Sequence, residues 1–439
     1  MKKLNALLER ADDGLRALLL GARIPAPLLA LLTLGAYFAL LTTRTLTLLD
    51  QAPTTARLWA TLILCLPLAA MLFFALRLTR EHTALERLGV CALCALAMLA
   101  RMSFIERSAG DYDIYLAKWI DQFSSVSFSE GMKANIGEYN VLYQYILFLI
   151  TRLGAPALYA VKTVSFIGDA FLAGAAAKLA GKKNGLLAFG AVLLLPTVIL
   201  NGGMFAQCDS LYAACALWGL ALALERRPAS SAVCFALSLA FKLQSAFILP
   251  IVIVLWAGKK LRLREALIFL LTLLVVMLPA LAGGKSLGSI VGIYTAQTGL
   301  YTGLNYNAAN LFGLMETTGL DVYGYGNFAM ALAFGICAAL VVWGVHHAQE
   351  LDDGGYVHLA LMMVLLIVFF LPRMHERYFY MAVPLSAAFA ARRGGRSVPA
   401  AVLIELALFS TLWSLNMTLS AASCMVLAAI ALLLSDRRS

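Results

Sequence analysis

The 439 residues carry 34 Lys and Arg against 24 Asp and Glu, a formal net charge of +10, yet only 13% are charged and 62% are hydrophobic. With a mean hydropathy of +0.84, this composition excludes a soluble globular or a disordered chain, and no basic run is dense enough to suggest nucleic acid. Apolar runs of about 20 residues, each enough for a hydrocarbon core of about 30 Å, recur from Leu28 onward and predict an all-α polytopic membrane protein, a single integral domain over 1–439.

In chain order, residues 1–105 hold an N-terminal segment and spans at 26–48, 57–77 and 86–105. The first span follows Lys2, Lys3, Arg10, Arg16 and Arg23 without a small-residue cleavage site, so it reads as retained rather than as a signal peptide. Residues 106–156 form a large outer loop. Within it, 140–153 (NVLYQYILFLITRL) is apolar enough to cross, but a crossing there would invert every later loop. It is therefore expected to be a short amphipathic helix in the outer interface, with Tyr139, Tyr143 and Tyr145 near the headgroups.

Residues 157–282 hold spans at 157–179, 185–200, 208–225, 229–241, 245–257 and 264–282, with 229–257 read as a broken or tilted pair. A second outer loop covers 283–327, and the spans of 328–439 fall at 328–347, 356–372, 377–391, 398–415 and 418–435. The total is about 13–14 transmembrane helices.

Orientation follows from the basic residues. With the N-terminus inside, about 22 of the 34 fall on inside segments, including Arg77 to Arg87, Lys178/Lys182/Lys183, Arg226/Arg227, Lys259 to Arg264, Arg392/Arg393/Arg396 and Arg437/Arg438. The positive-inside rule then places both termini in the cytoplasm of a plasma-membrane protein. The eight cysteines sit almost entirely inside apolar runs, and Cys91 and Cys94, a CxxC, read as small packing residues there.

The polar clusters away from the basic flanks all fall outward. Asp111 and Asp113 follow Gly110 in an acidic, aromatic loop, which is either a place for a carboxylate base or a solvated surface. Asp209 and Lys242 lie at membrane depth, where ionisable residues face a cavity or pair with each other. His375, Glu376 and Arg377 stand at a span mouth, suited to hold a phosphate or to anchor the interface by salt bridges. No phosphate-binding Gly-rich loop, Cys/His metal spacing or serine nucleophile elbow is visible.

Six segments in this order, GDYDIYLAKW (110–119), GEYNVLYQY (137–145), FAQCDSLY (205–212), AFKLQSAFILP (240–250), NYNAANLF (305–312) and MHERYFY (374–380), resemble the GT-C superfamily of polytopic glycosyltransferases. The chain looks closest to the bacterial family related to the second mannosyltransferase of GPI-anchor synthesis. More distantly it is similar to the dolichyl-phosphate-glucose glucosyltransferases. The resemblance spans about residues 103–380, and it departs from the latter group at Asn140-Val141, where those enzymes carry Pro-Pro.

The resemblance implies a GT-C fold with short interfacial helices on the outer loop. It also implies inverting transfer of a hexose, mannose or glucose, from a polyprenyl-phosphate donor to an extracytoplasmic glycan or glycolipid acceptor. Asp111 is then the general base, and Lys242, His375 and Arg377 contact the donor phosphate. Asp113, Tyr112, Trp119, Glu138, Tyr139, Asn140 and Tyr143 bind acceptor or shape the loop, with Gln207, Asp209, Gln244, Asn307, Asn310 and Glu376 supporting the donor site. No cofactor is implied, although paired outer-loop carboxylates could take a divalent metal. A transporter or flippase with a midplane site on broken helices is the competing reading, and a non-catalytic scaffold is the third.

Overall fold

The computed structural model describes residues 7, 9–14, 25–299, 303–317, 325–395, 397–413 and 418–435, most of them helical. Lys2, Lys3, Arg16, Arg23, Arg396, Arg437 and Arg438, used in the charge argument, lie outside them. The expected first three spans are α1 (Ala26–Leu48), α2 (Thr54–Leu78) and α3 (Ala84–Met102). A capping box starts α3: the Glu86 N–H donates to the Thr83 hydroxyl, and the Glu86 carboxylate accepts from the Thr83 N–H at 2.8 Å.

The segment expected as the first outer loop folds into a π-helical turn (Tyr112–Leu116), α4 (Ala117–Ser124), α5 (Phe128–Lys133) and α6 (Val141–Ile150). At ten residues, α6 is roughly 15 Å long, too short to cross the bilayer and the short helix that the loop bookkeeping required. Its tyrosines correct the expectation of headgroup contact. Tyr143 is buried, and the Tyr145 hydroxyl donates to the carbonyl of Val276 (3.0 Å) and accepts from the amide of Ala280 (2.9 Å). Tyr145 turns inward because backbone groups of α13 offer its hydroxyl partners that lipid cannot, whereas Tyr143 is held by ring packing against Tyr139.

The next elements are α7 (Ala157–Ala180), α8 (Gly185–Leu194), α9 (Pro196–Gly203), α10 (Asp209–Leu224), α11 (Pro228–Phe241), a 3₁₀ turn (Leu243–Phe247), α12 (Ile251–Ala257), α13 (Arg264–Ala282) and α14 (Leu287–Gly299). The single span expected at 185–200 is instead bent by 49° between α8 and α9. Pro196 supplies no N–H and holds Leu195 extended, so the helix cannot run through. The break expected within 229–257 falls at Lys242, whose backbone is extended.

The chain ends in β1 (Asn305–Tyr306), α15 (Leu311–Thr317), α16 (Gly326–His347), α17 (Asp353–Phe370), β2 (Met374–His375), α18 (Ala382–Arg393), α19 (Ser397–Trp413) and α20 (Thr418–Ser435). The span expected at 377–391 begins later, at Ala382. Met374 and His375 pair in parallel with Asn305 and Tyr306, drawing the preceding residues out of the helix.

Six described helices are long and apolar enough to cross a membrane, or seven if α8 and α9 are one span, which is the make-up of a polytopic membrane protein. The other apolar helices run 10–17 residues, and α3, at 19 residues, carries Glu86, Arg87 and Arg101. Helices long and apolar enough to cross on their own are thus fewer, among the described residues, than the 13–14 expected.

Packing separates centre from periphery. The spans α7 and α17 are 83% buried, whereas α1, α13 and α16 are 11–17% buried and present their apolar faces outward. Small residues let α7 sit centrally: a Cβ at Gly168 would lie 2.5 Å from the Ser210 hydroxyl of α10, and one at Gly174 would lie 2.8 Å from the Phe74 ring of α2.

The two ends of α7 meet different chemistry. At its C-terminal end the basic loops gather, with Lys178 on Glu225 (2.7 Å), Lys260 on Asp353 (3.1 Å), Arg393 on Asp352 (2.5 Å) and the Arg392 guanidinium on the carbonyl of Leu179 (2.9 Å). At its N-terminal end lie the outer-loop segments.

Candidate functional site

The site is built from loops pinned to that second end. The Lys162 ammonium of α7 donates to the carbonyls of Phe104 (2.6 Å), Ile105 (3.0 Å) and Arg107, fixing the turn that leads to Gly110 and Asp111. Gly110 has φ +58°, a left-handed conformation that glycine adopts without a steric penalty. Asp111 then presents Oδ2 to two donors, Arg377 Nη2 at 2.6 Å and Gln207 Nε2 at 3.2 Å.

Arg377 follows the short pairing of β1 with β2, continued by the Glu376 amide donating to the carbonyl of Tyr306 (3.1 Å) and the Arg373 amide to that of Leu304 (2.7 Å). Sequence segments 305–312 and 374–380 therefore meet through their backbones. Ala206, Asn307 and Arg373 all adopt positive φ around this site. Such strain, about 1–3 kcal/mol per residue, persists only where surrounding contacts over-determine it.

A second charge pair adjoins the first. Asp209, the first residue of α10, receives Lys242 Nζ on Oδ1 at 2.5 Å and Asn201 Nδ2 on Oδ2 at 2.9 Å, with both charged side chains at least 92% buried. The ion pair foreseen as the alternative reading of these two residues is the arrangement observed. Tyr139 joins the pairs: its hydroxyl donates to Gln207 Oε1 (3.0 Å), and Lys242 Nζ lies 5.3 Å from its ring centroid. Glu376 completes the network, with Oε1 3.2 Å from Arg377 Nε.

The sequence suggested a cationic cradle opposing one aspartate; the geometry instead places three carboxylates, Asp111, Asp209 and Glu376, around two fixed cations. His375 adds no charge at neutral pH. Burial, reinforced by Arg377, pushes its imidazole down to about 4, and it stacks on Tyr306 at 4.9 Å between ring centroids. Burial pushes the Glu376 carboxyl up, against the pull of Arg377.

The remaining expected residues divide. Trp119 packs edge-on against Tyr139 (5.4 Å) and over Gly137, whose φ of +78° lets the loop turn beneath it. Tyr143 stands against Tyr139 at 5.2 Å, inside the protein. Asn140 is buried and donates to the carbonyl of Leu239, so it holds α6 to α11.

Asn310 caps α15 through the Gly313 amide (2.9 Å), again a structural duty, while Asn307 is exposed and bridges to His375. Gln244 hydrogen-bonds Tyr378, which feels the charges of Lys242 and Arg377. Tyr112 is buried in the π-helical turn; Asp113 and Glu138 are exposed. Among the described residues no group of three or more His, Cys, Asp or Glu is placed to hold a metal ion.

Sequence reasoning missed Asn201, which fixes Asp209, Lys162, which fixes the Asp111 turn, and the buried pair Arg101–Asp169 at 2.8 Å. Lys162 and Asp169 are charges inside an apolar run, the same signal that singled out Asp209. No family model matches the chain, and no curated protein matches it significantly.

Proposed function

We propose that the protein is an inverting glycosyltransferase of the GT-C type, in the mould of the bacterial family related to the second GPI mannosyltransferase. It moves a hexose from a polyprenyl-phosphate donor to a glycan or glycolipid acceptor on the outer face of the plasma membrane, with both termini cytoplasmic. The observation that carries this reading is the state of Asp111. Its Oδ2 is anchored by Arg377 and Gln207, its Oδ1 accepts no hydrogen bond among the described residues, and about a third of the side chain is exposed. One oxygen is thus oriented and the other open, as a general base requires.

The chemistry is a single displacement. The acceptor hydroxyl attacks the anomeric carbon, its proton passes to Asp111, and the bond to the phosphate oxygen breaks so that polyprenyl phosphate leaves from the opposite face. Because Arg377 is committed to Asp111 and Glu376, the donor phosphate must compete for the guanidinium. The donor is a phosphodiester monoanion whose two free oxygens can take both arms of the fork, so donor arrival loosens Asp111 for proton transfer and leaves the guanidinium where the departing phosphate monoester gains its second negative charge.

The test is sugar transfer by purified protein in detergent with a polyprenyl-phosphate-hexose donor. Asp111→Asn abolishes transfer while insertion and monodispersity persist; an active Asp111→Asn sinks the assignment.

A transporter reading draws on the interrupted helices at Pro196 and Lys242, which bring Asn201 and Lys242 onto Asp209. It predicts movement of lipid-linked sugar across sealed vesicles and no transfer in detergent.

A further inference from the structure

A cleft of about 270 Å³ lies beside this site between the first outer loop and α14, its polar side chains Asn135, Glu138, Lys285 and Ser289 set among Gly137, Gly292 and the apolar Ile293 and Ala296. Lys285 forms its floor. The residue is 3% exposed, yet its ammonium has only two long hydrogen bonds, 3.4 Å each, to the carbonyl of Met132 and to Gln144 Oε1, and it makes no ion pair among the described residues. A buried ammonium without a counter-charge is costly. Lys242, in contrast, is neutralised at 2.5 Å by Asp209. Burial holds the Lys285 ammonium below its ordinary range, as expected of a cation that lacks an anion.

The rest of the cleft suits a ligand with hydroxyl groups. Glu138 and Asn135 are exposed at its loop wall, and Ser289 and Gly292 form one face of α14, where even a Cβ on Gly292 meets nothing within 4 Å. The cleft also communicates with the first site. Gln144, which touches Lys285, donates to the carbonyl of Tyr139 at 2.7 Å, and the segment 137–139 presents Glu138 to the cleft and Tyr139 to Gln207.

We propose that this cleft binds a phosphate ester bearing hydroxyl groups, its phosphate on the Lys285 ammonium and its hydroxyls on Asn135, Glu138 and Ser289. Naming that ligand the acceptor rests on the transferase reading; the binding itself does not. The acceptor is then an anionic glycolipid, held by its phosphate while its sugar reaches Asp111.

The experiment is native mass spectrometry of the full chain in mixed micelles containing phosphatidylglycerol or phosphatidylcholine at matched mole fraction. The wild type retains phosphatidylglycerol at a concentration on the order of tenfold lower than phosphatidylcholine, the size of one charge-assisted contact. Lys285→Arg keeps that preference and Lys285→Met loses it. Gly292→Leu, which leaves Lys285 in place and fills the cleft, loses it too.

Displacement by millimolar inorganic phosphate marks the free phosphate group as sufficient, whereas no displacement marks the lipid-borne ester as the ligand. Retention of the preference in either Lys285→Met or Gly292→Leu overturns the site, and Gly292→Leu alone decides if the lysine variant does not fold. Asp111→Asn keeps the preference, so failure of the transferase reading and failure of this one are told apart.

Discussion

Replacing Lys242 with Met removes the ammonium 2.5 Å from Asp209 and leaves a carboxylate that is 2% exposed, hydrogen-bonded by the Asn201 amide alone and with Arg377 acting on it only at longer range. Two losses compete in size. The cation–π contact with Tyr139, 5.3 Å from the ring centroid, accounts for about 0.5–2 kcal/mol, whereas an uncompensated buried charge costs about 3–5 kcal/mol. The orphaned carboxylate therefore dominates. Against a total stability of roughly 5–15 kcal/mol, the single variant is close to unfolding.

Adding Asp209→Asn removes the stranded charge and restores most of the loss, so a double-mutant cycle gives a coupling of about 3 kcal/mol, on the order of a hundredfold in the folding equilibrium. Denaturant-induced unfolding in detergent micelles, followed by tryptophan fluorescence, measures it. A Lys242→Met variant within about 1 kcal/mol of wild type, or a double variant as unstable as the sum of the singles, refutes the reasoning. The restored double variant also separates fold from chemistry: if it folds but fails to transfer sugar, the pair acts on the donor as well as on the fold.

Arg377→Gln removes the fork shared by Asp111 and Glu376 and lowers transfer on the order of a hundredfold; Arg377→Lys does not rescue it, because a point charge cannot span both carboxylates, and steady-state kinetics with varied donor checks this. His375 titrates near 4 folded and near 6.5 unfolded. The unfolded chain thus binds its proton first, and this residue's contribution to stability falls as pH drops from about 6.5 toward 4. Glu376, with its carboxyl pushed up, works in the opposite direction. Comparing the pH dependence of unfolding in wild type and His375→Gln isolates the histidine, whose removal flattens the decline. Gly168→Val places a side chain where a Cβ already lies 2.5 Å from the Ser210 hydroxyl and 3.2 Å from the Leu211 amide. Parting α7 from α10 costs about 1–3 kcal/mol, read as a lower midpoint in the same unfolding assay.

The helices were largely legible because lipid imposes its demand locally: every backbone group must be bonded within the segment, so length and hydropathy locate α1, α13 and α20 to the residue. What escaped were features set by partners distant in sequence. The bend at Pro196 was written in one residue, but the shift of the last-but-two helix to Ala382 depends on pairing between segments some 70 residues apart. The site shows the same division. Residue type and order placed Asp111, Gln207, Asp209, Lys242 and Arg377 together, since polar groups cannot remain in hydrocarbon and must collect at one end. Charge balance was not legible. Whether Lys242 greets a ligand or is spent on Asp209 turns on a distance of 2.5 Å that no spacing rule encodes. The same uncertainty hid Lys285, an ordinary loop lysine by sequence whose lack of an anion emerges only once Met132 and Gln144 of the first outer loop close over it.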